Sequence, residues 1–75
     1  MATAEIGKRY RHYKGKEYIV LFLAYREDTL ESVVVYQAEY NTEDFGDRPV
    51  WVRSKDDFES TVIVDGVAID RFMML

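Results

Sequence analysis

Cysteine is absent from this chain, and histidine and proline occur once each, as His12 and Pro49. Without cysteine there is no disulfide, no thiolate nucleophile and no zinc–sulfur site, a composition that fits a reducing compartment and a cytoplasmic protein. Long apolar runs are missing too. The longest, Tyr18 to Tyr25, has eight residues, far short of the roughly 18 that a membrane span requires. The start, MATAEIGK, has neither the apolar core of a secretory signal nor a myristoylation glycine at position 2. Residues 1–6 read as a short flexible end and residues 7–75 as a single domain.

Catalytic signatures are equally scarce. Serine occurs only at 32, 54 and 60, never in a Gly-x-Ser-x-Gly elbow or a Ser-x-x-Lys motif, so an activated hydroxyl has no recognisable setting. The glycines at 7, 15, 46 and 66 never make a phosphate-cradling Gly-x-Gly-x-x-Gly. His12 stands alone, and the acidic pairs Glu43-Asp44 and Asp56-Asp57 lack the spacing of a calcium loop. The expectation is a protein with no catalytic residue, no metal and no cofactor.

What the chain does have is large side chains and an uneven charge distribution. Hydrophobic residues make up 48% and aromatics 15%, enough for one core in a chain that buries only about 60–65% of its unfolded surface. Residues 1–16 hold five cations (Lys8, Arg9, Arg11, Lys14, Lys16) against Glu5 alone, whereas the remainder is acidic and brings the net charge to −4. A pI near 4.8 argues against a general nucleic-acid binder, whose domain pI usually exceeds about 9. A local basic patch is still compatible with it.

Strand signals follow one another with little between them. Tyr10 to Tyr13 leads through Lys14-Gly15-Lys16 into EYIVLFLAY, Glu17 to Tyr25, the strongest β segment. Both of its alternating faces are apolar, which predicts cover on both sides. After the polar REDTL, Glu31 to Tyr40 gives an alternating strand with Val34, Tyr36, Ala38 and Tyr40 as its core face. The acidic loop Asn41 to Arg48 and Pro49 precede a short strand, Val50 to Arg53. Ser54, three residues before Asp57, predicts a capped helical turn with Phe58 as inward anchor. Asp65-Gly66 between apolar runs predicts a two-residue type I′ hairpin with Val64 facing Val67 and Val62 facing Ile69. The fold class is all-β: five to six antiparallel strands with one helical turn, as a strongly curved sheet or partly open barrel.

Six side chains combine flat rings with cationic or titratable groups: Tyr10, Arg11, His12, Tyr13, Trp51 and Arg53. Rings give contact area at low entropy cost and arginine offers a planar fork for carboxylate or phosphate. The run YRHYKGKEY with upstream Gly7, VVYQAEY at Val34 to Tyr40, VWVR at Val50 to Arg53, Phe58, and the DG and RF of the last hairpin resemble a small bacterial family called domain of unknown function 1653. The resemblance spans Gly7 to Phe72. It implies a compact SH3-like β-barrel or roll, places Arg11, His12 and Tyr13 in the family's motif, and implies no activity. The chain departs from the family pattern at Ser54 and Asp70, where prolines are usual, and in its longer acidic loop. The leading reading is a non-enzymatic binding or adaptor module for a small anionic ligand or an acidic peptide, from a monomer or weak homo-oligomer. The alternatives are nucleic-acid contact through the basic first strand, with tyrosines stacking on bases, and a structural, self-associating domain.

Overall fold

Alternation and turn chemistry build the sheet that positions everything else. A computed structural model of the chain describes residues 3–75. The described residues form strands β1 (Arg9–His12), β2 (Glu17–Tyr25), β3 (Ser32–Ala38) and β4 (Val50–Ser54), a short helix α1 (Lys55–Phe58), and strands β5 (Thr61–Val64), β6 (Val67–Asp70) and β7 (Phe72–Met74). Five strands make an antiparallel sheet in the order β4-β3-β2-β1-β7, and β5 and β6 pair only with each other. The all-β class holds. The sheet does not close into a barrel: β4 and β7 remain its two free edges, because the hairpin that could have bridged them pairs with itself. Seven strands replace the expected five to six because a bend at Arg71 separates β6 from β7.

Gly15, at φ 107°, closes the β1–β2 turn, with its N–H donated to the His12 carbonyl at 2.7 Å. The Asp65-Gly66 turn has φ of 51° and 78°, the double positive φ of a type I′ turn. Its register pairs Val64 with Val67 and Val62 with Ile69, as the sequence predicts. Ser54 caps α1 by accepting the Asp57 N–H at 3.1 Å, and Phe58 is fully buried. The hairpin β5–β6 projects as an arm. The radius of gyration, 12.6 Å, exceeds the roughly 11 Å typical of a rounded domain of this length.

One face of the sheet carries the core: Tyr10, Val20, Val34, Tyr36 and Phe72, with Phe58 laid on it from α1. Phe58 and Phe72 stack with centroids 4.1 Å apart, and Tyr10, Tyr18 and Tyr36 meet these rings edge-on. Cover on both faces of β2 is not what forms. The β2–β3 register slips between Val20 and Phe22, so Leu21 is an extra residue and Phe22 pairs with Val35. That bulge flips the alternation. Val20 is core, whereas Phe22 is 62% exposed.

The end read as flexible over residues 1–6 also differs where it is described. Ala4 is buried in the core, its N–H donates to Glu59 Oε2 at 2.8 Å, and the Glu5 N–H donates to the Tyr10 hydroxyl at 2.9 Å. Met1 and Ala2 lie outside the described residues.

Candidate functional site

Pairing β7 against β1 sets Arg11 opposite Met73 and His12 opposite Phe72, and the bend at Arg71 swings the end of β6 alongside. A concavity of about 300 Å³ results, lined by Arg11, His12, Tyr13, Ile69, Asp70 and Met73. Three of the six candidate residues therefore converge. Ile69, Asp70 and Met73 join them from more than fifty positions downstream, and only the extended apolar tail FMML hints in the sequence at a strand able to deliver them.

Arg11 donates through Nε and Nη2 to Glu17 Oε2 at 3.3 and 3.1 Å in an exposed pair. Such a pair contributes about 0–1 kcal/mol, so a ligand carboxylate can replace Glu17 at small cost. The His12 ring lies 4.5 Å from Tyr13 and 4.9 Å, edge-on, from Phe72. Its Nδ1 accepts the Lys14 N–H at 3.2 Å, which leaves Nε2 as the protonated nitrogen of the neutral ring. Burial, then the nearby charges of Arg53, Lys14 and Arg71, hold His12 below its ordinary pKa. The imidazole is neutral at pH 7.

The other three candidates lie elsewhere. Tyr10 is fully buried, and its hydroxyl ties down the N-terminal segment by donating to the Thr3 carbonyl. Trp51 is half-buried, packed edge-on against Phe45 at 5.0 Å, with Nε1 buried and unpaired. Arg53 is scaffold: Nη1 reaches Asp57 Oδ2 at 2.6 Å, Nε reaches the Tyr36 hydroxyl at 3.3 Å, and the guanidinium lies 5.3 Å over the Phe72 ring. Strand alternation explains part of the split. Tyr10, Trp51 and Arg53 project to the core side, whereas Arg11 projects from the other face beside Met73; His12 shares the parity of Tyr10 and reaches the concavity because it ends β1, beyond the core rings.

Within the basic opening run the two arginines are paired with acids. Arg9 pairs with Glu39 at 2.7 Å and Glu17 at 2.9 Å, Arg11 pairs with Glu17, and Lys16 sits 4.7 Å over the Tyr40 ring. A phosphate backbone would have to displace these partners, which weakens the nucleic-acid alternative. Among the described residues no group of three or more His, Asp or Glu is placed to hold a metal. Nor is any helix among them long and apolar enough to cross a membrane.

Comparison with known proteins agrees with this architecture. A solved structure described as a protein belonging to DUF1653 from Bordetella bronchiseptica superimposes with a TM-score of 0.81 at 32% identity, over 95% of this chain and 87% of that one. No curated protein matches. The family described as "Protein of unknown function (DUF1653)" matches residues 8–74, nearly the whole chain, and to that family this chain belongs.

Proposed function

We propose that this domain is a non-enzymatic binding module that holds one anionic group, on a small ligand or an acidic peptide, in the concavity beside β1. The observation that carries the reading is the convergence of Arg11, His12 and Tyr13 on that concavity. Arg11 supplies the planar fork for a carboxylate. Tyr13, Ile69 and Met73 supply apolar walls for the rest of the ligand. With Arg11 as the one cationic fork among apolar walls, the fit is to a single acidic group on an apolar stem. A non-enzymatic role is supported by how two of the hydroxyls are used: Ser54 caps α1, and Ser60 donates to the Asp57 carbonyl while accepting from Arg71 Nε.

The test is a titration of isotope-labelled protein with N-acetylated Leu-Glu amide, a dipeptide with one carboxylate, and, separately, with inorganic phosphate, read by backbone amide shifts. Saturable shifts at residues 11–14, 69–70 and 73 with the dipeptide, weakened in Arg11→Lys with melting unchanged, are the expected result. Saturable shifts elsewhere, or no saturable shift with either probe, overturn the reading.

A further inference from the structure

The concavity occupies one end of the outer sheet face; the other end is mostly apolar, with its exposed side chains on β4 and the middle of β2. Register puts Val50 and Val52 of β4, Val33, Val35 and Gln37 of β3, and Ile19, Phe22 and Ala24 of β2 on the side of the sheet opposite the core, with Val33 buried and Gln37 between Val50 and Ile19. Phe22 is 62%, Val52 63% and Val50 53% exposed. The bulge after Val20 is what places the aromatic there: with unbroken alternation, Phe22 would share the core face with Tyr18 and Val20. Bulges recur where a side chain must be re-aimed. Here one turns a large apolar ring out of the core and into a row with Val35 and Val52.

We propose that this apolar half-face, centred on Phe22, Val35 and Val52, is the interface of a homodimer in which two copies stack their outer sheet faces about a two-fold axis. Charge argues for a second copy rather than a partner of opposite sign. The polar half of the same face is an internally paired network of two arginines and two glutamates, Arg9 and Arg11 with Glu17 and Glu39, so the face carries no net charge although the chain is at −4. A charged partner finds no complement there, whereas a second copy meets no repulsion. An isologous contact also sets apolar half on apolar half and lets the arginine–glutamate networks flank it.

Size sets the strength. The apolar half spans three strands about 4.8 Å apart, and with about 3.3 Å of rise per residue it covers roughly 14 by 17 Å, on the order of 250 Å² in projection. Stable interfaces bury about 800 Å² per partner. A side-chain-covered face offers more accessible area than its projection, so the dimer belongs to the weak class and forms at micromolar concentration.

Sedimentation velocity across low to high micromolar concentration is expected to show a rise from 8.8 kDa toward twice that mass. Val52→Lys and Phe22→Ser, both at exposed positions, are expected to raise the dissociation constant at least about tenfold. Ile63→Lys, on the exposed arm, is expected to leave it unchanged. Because the chain has no native cysteine, a nitroxide on Ala24→Cys gives a readout that leaves the central apolar row intact. Mixed with isotope-labelled wild type, it is expected to broaden the amides of Phe22, Val35 and Val52. A monomer at every concentration overturns the proposal, as does a dimer lost in Ile63→Lys but kept in Val52→Lys. So does a monomer that co-sediments with zwitterionic lipid vesicles through Phe22, which would make the face a lipid surface.

Discussion

Phe22 and Phe58 are the same residue type with opposite energetic roles, and the difference is position alone. Phe58 and Phe72 are 0% and 1% exposed, and they stack face to face within a cluster of tyrosines that meet them edge-on. Truncating either ring removes its transfer free energy and leaves a cavity that a rigid aromatic cluster cannot close. Phe58→Ala and Phe72→Ala are each expected to cost about 3–5 kcal/mol, which in a domain this small amounts to loss of the folded state at room temperature. Phe22 is solvent-facing, so Phe22→Ala is expected to cost under about 1 kcal/mol in urea unfolding at low micromolar concentration, where the chain is monomeric. A loss near that of Phe58→Ala would show that the bulge does not expose the ring in solution. The arginines divide in the same way. Arg53 is half-buried with two partners, so Arg53→Ala is expected to destabilise by more than about 1.5 kcal/mol, against under about 1 kcal/mol for the exposed Arg11→Ala. Equal losses in thermal melts would remove the distinction between scaffold and site.

The β5–β6 arm shows what an element owes to its turn. A Cβ added at Gly66 meets nothing within 4 Å, but the residue sits at φ 78°, where a β-branched side chain clashes with its own backbone. Gly66→Val is therefore expected to lose over about 1 kcal/mol for torsional reasons alone. Because the arm pairs with no other strand, the loss should appear first as faster amide exchange in β5 and β6; exchange unchanged there would mean that the turn tolerates the strain. This element was legible in the sequence because its determinants are local: Asp-Gly fixes the turn, the turn fixes the register, and alternation does the rest. The Ser54 cap and the Phe58 anchor were legible for the same reason. The bulge was not. Leu21 has apolar neighbours on both sides, so no residue type marks the slip, and the register is set by cross-strand partners that the sequence does not show. The β1–β7 pairing was also hidden, being a contact between the two ends of the chain. With it went half of the concavity, which is why Arg11, His12 and Tyr13 could be grouped in advance while Ile69, Asp70 and Met73 could not. The strand order was hidden with it: without β7 joined to β1, the sequence leaves a curved sheet and a partly open barrel equally open.

At the scale of the whole molecule, two titratable groups tie distant parts of the chain together, and both make the fold sensitive to acid. Glu59, at the end of α1, accepts the Ala4 N–H and the Lys55 ammonium. Burial by itself would raise its pKa, but these partners outweigh burial and hold it below the ordinary 4.5. His12, packed between Tyr13 and the edge of Phe72, is held below 6.5 by burial first and then by the charges of Arg53, Lys14 and Arg71. For both groups the unfolded chain binds protons more readily than the folded one, so stability rises with pH. The His12 contribution is complete above its unfolded value and is lost as pH falls from about 6.5 through the lowered folded value. The Glu59 contribution is lost in the same sense from about 4.5 downward. Net charge pulls the other way. From −4 at pH 7 the chain approaches neutrality near its pI of 4.8, which by itself relieves self-repulsion and favours the compact state. The expected outcome is a melting temperature that falls in two stages between about pH 7 and pH 3.5, with His12→Gln abolishing the upper stage and Glu59→Gln the lower. A wild-type melting temperature that is flat or rises from pH 7 to pH 5 would mean that net charge dominates and that the packing around His12 imposes no protonation penalty.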